Sequence, residues 1–503
     1  MKSPIKEYRL LMLTTLLISG CSMVYELIIS AVSSYLTGNS TLQYSITIGL
    51  YMSALGIGSF LSKFVKRNLW GWFARVEILI GIIGGSCSLI LFLAYLHLSA
   101  YVVVMYAEIL AIGTLAGLEI PLLTRIIEED TKELRVTLSS IFSFDYIGGL
   151  IGSIAFPMLL LPHLGYFATC FLSGLLNLTA AALIIFKYSK KLSRPHLYKL
   201  LVLILVVMMA VGMVFSENIG NLIEGGLYRD RVILSKQTEY QKIVVTKHKD
   251  DLRLYIDGNC QFSTVDEYRY HEALVHLPMC YAEKREKVLV LGGGDGMAAR
   301  EILKYPEAHI TLIDLDKAMT DLCSTDPQIT AVNGGSLTDK RVQIKNMDAY
   351  QFIEQSEEQF DVIIIDLPDP NNESLNKLYT NVFYRMCASH LTKGGVMNVQ
   401  STSPYFARKA YWCIDKTMES EGLQVNSFHL QVPAFGDWGF HIAAPQTLRK
   451  LHALPDDTKF ISEDNLSALF IFGKDEERLD TEINQLTKPV LIEYYNEAVR
   501  EWE

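Results

Sequence analysis

The 503 residues include eight cysteines, at 21, 87, 170, 260, 280, 323, 387 and 413, and no two of them stand in a CxxC or any other metal-ligand spacing. A zinc-ribbon or redox-motif protein is thereby excluded, and no metal is expected. Five of the cysteines fall after residue 217, an odd number that sets up no disulfide framework. Solenoid-type repeats and low-complexity tracts are also missing. A surplus of positive charge is lacking as well, since the net charge is −10 at pH 7. An acidic balance argues against a nucleic-acid partner and suits a cationic substrate. Long uncharged runs are nearly absent after Glu217, whereas before Phe215 it is charge that is scarce. The chain therefore has two parts of different character.

The first part holds seven apolar stretches, roughly 10 to 36, 42 to 62, 78 to 96, 101 to 123, 139 to 161, 165 to 186 and 198 to 215. Each is near the ~20 residues needed to cross a bilayer core. "LLISGC", ending at Cys21 after Lys2, Lys6 and Arg9, imitates a lipoprotein signal, but the apolar run continues through "SMVYELIISAVSSYL", as an uncleaved span should. The loop cations are lopsided. They fall at Lys2, Lys6 and Arg9; Lys63, Lys66, Arg67 and Arg75; Arg125, Lys132 and Arg135; and Lys187, Lys190, Lys191, Arg194 and Lys199. The alternate loops "TGNST", "HLSA" and "PHLGY" have no Lys or Arg. The positive-inside rule makes the amino terminus cytoplasmic, and an odd number of crossings then puts the second part on the opposite face, unless one of the stretches does not cross. Four carboxylates, Glu26, Glu108, Glu119 and Asp145, lie within apolar spans. They either line a polar path, bond to Ser, Thr or Tyr on neighbouring helices, or sit near an interface.

In the second part, residues 228 to 262 alternate in a β manner, with apolar clusters at 243–245 and 252–256 and turn chemistry at Asp257-Gly258. "DEYRYHEALVHLPMC" has helical spacing and leads into a strand at 288–291. Strand-like runs at 309–313, 342–344, 362–365 and 396–399 follow, separated by helical or loop segments, with another at 423–432. This alternation predicts a mostly parallel sheet with helices on both faces, whose ligand sits beyond the carboxyl ends of the strands. The residues found there are telling. Gly292-Gly293-Gly294-Asp295-Gly296 follows the first strand, Asp314 and Asp316 the second, Asp348 the third, and Asp366-Leu367-Pro368-Asp369-Pro370 the fourth.

A glycine-rich turn lets a ligand approach the backbone, and an acidic residue about twenty positions on is placed to hold ribose hydroxyls. Asp314 fits that role, and Asp348 is placed to accept from an adenine amino group. An adenosine-type ligand follows. Asp295 would repel nucleotide phosphates, but it would attract a sulfonium nucleoside with a free amino group at its aliphatic end. Asp366 and Asp369, three apart after a strand, can bind a cationic amine and take its proton.

"LYIDGNCQF", "DEYRYHEALVHLP", "VLVLGGGDG", "LIDLD", "NMDAYQF" and "FDVIIIDLPDP", in that order, resemble the spermidine synthase (polyamine aminopropyltransferase) family over 228 to about 445. The seven-span part resembles its membrane-integrated bacterial branch. The resemblance implies a multi-pass α-helical membrane domain (1–217), a linker with a small β-rich subdomain (218–285) and a Rossmann-like, class I methyltransferase-type domain (286–445). A helical tail (446–503) completes the expected organisation. It implies decarboxylated S-adenosylmethionine as co-substrate with no prosthetic group, putrescine as default acceptor, and a bilayer as surroundings, the bacterial inner membrane, with the catalytic face left open. Homodimers are common in the family.

By position, Gln241, Gln261, Gly292, Gly294, Asp314, Asp348 and Ala349 are implied to contact the donor. His271 and Asp295 are implied to touch the aminopropyl or polyamine chain, Tyr270 to line the channel with Tyr268 and Trp438, and Asp366 to accept the proton with Asp369 beside it. Two departures stand out. "NNESLNKLYT" replaces a Gly-Pro-Ala type loop, and Phe435 in "VPAFGDWGF" stands where a substrate-contacting Tyr is common. The remaining alternatives are an S-adenosylmethionine methyltransferase of the same fold, and a polyamine transporter or sensor whose second part binds without turnover.

Overall fold

The computed structural model describes residues 9–37, 40–98, 100–131 and 134–502. Lys2, Lys6 and Lys132 of the loop cations, with parts of the "TGNST" and "HLSA" loops, lie outside these. The chain forms two compact units that meet in sequence at Gln241/Lys242. The composition changes earlier, near residue 217, because the helix Ser216–Leu227 and the strand after it belong to the first unit.

The first unit is helical: α1 (Arg9–Thr37), α2 (Ser40–Leu61), α3 (Leu69–His97), α4 (Tyr101–Thr131), α5 (Leu134–Ala155), α6 (Leu161–Lys187), α7 (Pro195–Val214) and α8 (Ser216–Leu227), with β1 (Arg231–Gln237) after them. Among the described residues, six helical runs are long and apolar enough to cross a membrane. Seven were expected; the difference is that Thr137–Lys187 is one run of 51 residues, covering two of the expected stretches. Its backbone is non-helical at Gly165 (φ 69°, ψ −174°), and a π-turn at Phe156–Leu160 contains Pro157, which has no N–H to give.

Small residues bring the helices together. A side chain at Gly148 or Gly152 of α5 would overlap the α1 backbone at Leu16 or Gly20, and one at Gly58 or Gly117 would break the α2–α4 contact. Of the intramembrane-type carboxylates, Glu26 and Glu108 are buried. Both oxygens of Glu108 meet no hydrogen-bond partner among the described residues, so the neighbour-bonded alternative fails for that side chain. Glu77 was not singled out in the sequence, yet it is fully buried and its Oε2 accepts from Asn177 Nδ2 at 3.4 Å.

The second unit opens with an antiparallel sheet of β2 (Lys242–His248), β3 (Asp251–Ile256) and β4 (Asn259–Ser263). Asp257 and Gly258 join β3 to β4, both with positive φ (47° and 84°), the hairpin geometry that Asp-Gly favours. Then come α9 (Glu267–Tyr281), β5 (Lys287–Gly292), α10 (Met297–Ile302), β6 (His309–Asp314), α11 (Lys317–Thr325), α12 (Pro327–Asn333), β7 (Val342–Asn346) and α13 (Ala349–Gln355). The second half runs β8 (Phe360–Asp366), α14 (Glu373–Asn376), α15 (Asn381–Ser389), β9 (Leu391–Gln400), α16 (Arg408–Glu419), β10 (Gln424–Val432), β11 (Gly436–Ala444) and α17 (Val490–Trp502).

The seven-stranded sheet has the order β10-β11-β9-β8-β5-β6-β7. The five strands from β9 to β7 are parallel, and β11 and β10 are antiparallel additions. β11 was not anticipated, because its small and aromatic residues lack a clean alternation. After β7 the chain returns to lay β8 against the other side of β5, so the strand order reverses between β5 and β8. In sheets of this kind the ligand crevice lies at that reversal, beyond the carboxyl ends of the strands.

The tail is less helical than expected. Between Pro445 and Pro489 it is irregular apart from a short 3-10 turn, and the α-helix is confined to Val490–Trp502. Its backbone groups find partners elsewhere in the second unit instead of in their own helix. The buried Glu272 carboxylate accepts from the N–H groups of Lys459 (2.6 Å), Phe460 (2.8 Å) and Ile461 (3.0 Å), which pins the tail to α9.

Candidate active site

The reversal point is built by glycine. Gly292 pairs in register with Asp366, and Gly292, Gly293 and Gly296 all have positive φ (85°, 65° and 83°). A Cβ on Gly292 would overlap the Asp366 carbonyl, whose oxygen accepts from Gly293 N at 3.2 Å. The glycine turn and the end of β8 thus fix each other. A Cβ on Gly294 would strike the Asp314 carboxylate, which accepts from Gly294 N (3.1 Å) and Asp316 N (2.9 Å). Each Asp314 oxygen keeps a second lone pair, as holding a vicinal diol requires. Burial pushes this carboxyl up to about 6.

Asp295 takes the place expected of it beside the turn. One oxygen, Oδ1, accepts from Met297 N at 2.8 Å, which holds the carboxylate at the start of α10. Asp366 follows β8, and its Oδ1 accepts from Tyr270 Oη at 2.6 Å. Burial pushes the Asp366 carboxyl up to about 6, the Asp295 charge adds to that, and the His271 cation and the Tyr270 hydroxyl oppose it. Asp369, one turn of loop further, receives Tyr495 Oη at 3.0 Å and Gln400 Nε2 at 3.4 Å. Burial pushes it, too, up to about 6.

His271 is buried, and its Nδ1 meets the Glu267 carboxylate at 2.9 Å. Arg300 grips the same carboxylate with both terminal nitrogens (2.9 and 2.8 Å). Burial opposes charge on His271, but Glu267 outweighs it and raises the imidazole to about 9. The histidine is therefore a cation among carboxylates, anchored through Nδ1.

Four of the remaining expected positions lie less simply. Gln261 stands on β4, where its Nε2 donates to Asn259 O at 3.2 Å. Gln241 closes the turn that ends the first unit, its carbonyl accepting from Thr238 N at 2.9 Å. Ala349 is buried at the start of α13. Asp348 caps that helix, accepting from Tyr350 N at 2.8 Å, while its other oxygen meets Lys377 Nζ at 2.5 Å. An adenine amino group bound there would share that oxygen with Lys377, since each carboxylate oxygen has two lone pairs. Lys377 belongs to the "NNESLNKLYT" segment noted for its departure from the family pattern.

Tyr270 packs edge-on against Phe435 (ring centroids 6.0 Å apart), and Phe435 lies 5.4 Å from the Trp438 ring. This wall suits methylene groups. Tyr268 instead carries Lys459 over its ring at 5.3 Å.

Several contributors escaped the sequence reading. Gln400, the last residue of β9, donates to Tyr379 Oη (2.9 Å), bonds the Leu367 carbonyl, and accepts from Trp438 Nε1 (3.2 Å). It could have been found, because it sits at a strand end like the others. Thr402 has φ 57°, a rare value for a β-branched residue, and its side chain is among the groups that oppose the rise at Asp369. Tyr495 lies 126 positions from the carboxylate it meets, and no local pattern marks it.

One group of metal-ligand types occurs among the described residues, His429, Asp437 and Glu476, with ligand atoms within 4.8 Å of one another. The His429 Nδ1 faces both Asp437 oxygens at 2.9 Å, and its Nε2 faces the Ile471 carbonyl at 2.8 Å. Both nitrogens therefore donate, and neither offers a lone pair. It is an imidazolium clamp on the β10–β11 hairpin.

The topology and the row of strand-end carboxylates are those of a Rossmann-like transferase. Residues 267–453 match the spermine/spermidine synthase domain family. A polyamine aminopropyltransferase of Oceanobacillus iheyensis is 40% identical over 99% of this chain and 98% of its own. One from Leptospira interrogans is 39% identical, covering 98% of each chain. A solved spermidine synthase in complex with the transition-state analogue AdoDATO is 24% identical, covers 48% of this chain and 85% of that one, and has a TM-score of 0.46. The chain belongs to the polyamine aminopropyltransferase family and is an enzyme of that type. The resemblance drawn from the ordered motifs is borne out.

The close approach at Gly292 yields a test. Gly292→Ala should displace Asp366 and lower turnover by about 100-fold, the scale of a ~1 Å misplacement at a reacting centre. Gly422→Ala is the control. It has a similar φ (79°) but nothing within 4 Å of the added Cβ, so steady-state turnover should stay within about 3-fold of wild type, its cost being backbone strain alone. Equal effects of the two substitutions would show that the approach to Asp366 is not what matters.

Proposed function

We propose that the chain moves the aminopropyl group of decarboxylated S-adenosylmethionine to putrescine, giving spermidine and methylthioadenosine. The observation that supports this most is the pair of elevated carboxyls, Asp366 and Asp369, at the strand reversal with Asp295 and Asp314 beside them. The donor is a sulfonium carrying an ammonium, and the acceptor is a diammonium. An anionic cleft lowers the free energy of both, whereas a donor that keeps its α-carboxylate would be repelled by Asp295.

Asp314 holds the ribose, the Gly292–Gly294 turn lets the nucleoside lie against the backbone, and Asp295 meets the donor ammonium. The acceptor's methylenes lie along Tyr270, Phe435 and Trp438. A protonated amine has no lone pair to attack with, its pKa being near that of Lys, about 10.4. Asp366 takes the proton as the nitrogen attacks the methylene beside sulfur. The C–S bond breaks, its electron pair leaves with sulfur as a neutral thioether, and the new C–N bond forms. A base near 6 is ionised at neutral pH yet still basic enough to share a proton with the amine. His271, held charged by Glu267, keeps that cluster of carboxylates from neutralising itself by proton uptake.

The first unit, in this reading, makes this a multi-pass protein of the bacterial inner membrane. In support, α7 exposes Leu200, Leu203, Ile204, Val207 and Val211 on its outside, a surface suited to lipid. The run Thr137–Lys187 has 51 residues; at ~1.5 Å per residue that is more than twice a ~30 Å core. We read it as two crossings that reverse at Gly165, giving seven in all. With the amino terminus cytoplasmic, catalysis then falls on the outer face, and the first unit delivers substrate or carries product. A homodimer remains part of the same reading.

Two measurements test this. Purified full-length protein given putrescine and decarboxylated S-adenosylmethionine should release methylthioadenosine, and Asp366→Asn should lose about 100- to 10,000-fold. The rate should fall as pH drops through about 6, because Asp366 and Asp369 must be ionised and their folded values are raised to that point. No release by wild type, or a rate flat from pH 5 to 8, contradicts the reading. For topology, a carboxy-terminal fusion to a reporter active only outside the cytoplasm should be active. A well-expressed, silent fusion rejects the outer-face arrangement.

A further inference from the structure

One of the polar contacts at Asp369, that from Tyr495, comes from a part of the chain that the family match, ending at residue 453, does not reach. Tyr495 is on α17. That helix is docked at both ends: Val490 and Leu491 at its start and Ala498 near its end are buried in the sheet's core. Its first turn is tied further by Leu491 N to Asn484 Oδ1 at 3.3 Å. The Asn484 Nδ2 in turn donates to Asn376 Oδ1 (2.9 Å) and Tyr379 O (3.0 Å), beside the loop that carries Asp369. Tyr495 therefore reaches the loop from a rigid support.

The two acidic side chains after β8 are treated alike. Tyr270 donates to one oxygen of Asp366 at 2.6 Å, and Tyr495 donates to one oxygen of Asp369 at 3.0 Å. Each tyrosine binds one oxygen and so orients the other, which on Asp369 also accepts from Gln400 Nε2 at 3.4 Å and keeps a second lone pair. Phe435, on the aromatic wall, has no hydroxyl to supply such a bond.

We propose that Tyr495 is a positioning residue for the acceptor amine: its hydroxyl aims and keeps ionised the Asp369 carboxylate, whose remaining oxygen binds an ammonium group of the diamine. This rests on the reading of the cleft as a polyamine aminopropyltransferase site. The carboxy-terminal helix is then part of the acceptor pocket rather than an appendage. Burial and the Asp369 charge hold the phenol well above its ordinary range, so it remains a donor throughout the working pH. A hydrogen bond from it to Asp369 favours the charged carboxylate, and removing that bond leaves the carboxyl protonated to higher pH.

Tyr495→Phe in the full-length protein tests this, with Tyr494→Phe, the neighbouring ring, as control. The bond is to a charged group, so the KM for putrescine should rise roughly 10-fold or more. At saturating amine kcat should stay within about 3-fold, and the KM for the donor should not change. The acid limb of kcat/KM for putrescine should move up by about one pH unit, as that bond's loss implies. Calorimetric binding of putrescine, read without turnover, should weaken by the same factor. In an Asp369→Asn background the extra effect of Tyr495→Phe should vanish.

An unchanged KM, calorimetric affinity and acid limb in Tyr495→Phe would overturn the inference. So would an equal loss in the Asp369→Asn background, or equal effects of the two tyrosine substitutions, since each marks a merely structural role. A wild type that binds putrescine but releases no methylthioadenosine would instead sink the transferase reading, leaving the binding comparison to judge Tyr495.

Discussion

Much of this structure depends on one close approach, that of Gly292 to the backbone of Asp366 where the strand order reverses. The two residues are in register across β5 and β8, and no side chain fits between them. The positive φ values of the glycine turn bring its N–H groups to the Asp366 carbonyl and the Asp314 carboxylate. Without that turn, the acidic side chains at the ends of β6 and β8 would be separate surface features. With it they share one crevice, and the Asp295 charge adds to the raised proton affinity of both Asp314 and Asp366.

The crevice works because its charges are unbalanced on purpose by position. Asp295, Asp314, Asp366 and Asp369 stand against one buried cation, His271, which is itself committed to Glu267. Burying carboxylates without enough partners disfavours their charged forms and raises their proton affinity. A doubly cationic donor and a diamine restore the balance on binding, and the same elevated carboxyl can then receive a proton. Binding preference and proton transfer thus have a common electrostatic origin. The tyrosines limit the effect: Tyr270 and Tyr495 stabilise the ionised forms enough to keep them anionic at neutral pH.

Much of this was legible in the sequence, for a definite reason. A doubly wound sheet puts its working residues just after its strands, so Gly292, Asp314, Asp348 and Asp366 could be placed from the strand pattern alone, and Gln400 would have followed from the same rule. The Glu267–His271 pair is spaced as helix neighbours and was readable in principle. Tyr495 was not, because it reaches the site through packing of a helix 126 positions beyond Asp369. The irregular stretch before that helix was misjudged because its backbone bonds are made to other elements, as at Glu272. In the helical unit the apolar stretches were plain, whereas the fusion of two of them into Thr137–Lys187 and the burial of Glu77 depend on helix contacts that composition does not encode.

The central claim is that the crevice selects its nucleoside by charge, Asp295 facing an ammonium and rejecting a carboxylate. Calorimetry on the full-length protein, comparing decarboxylated S-adenosylmethionine with S-adenosylmethionine itself, addresses it most directly. The account predicts tighter binding of the decarboxylated form by at least about 10-fold, or ~1.4 kcal/mol, with the gap closing in Asp295→Asn. Equal or tighter binding of the carboxylate-bearing form would contradict it.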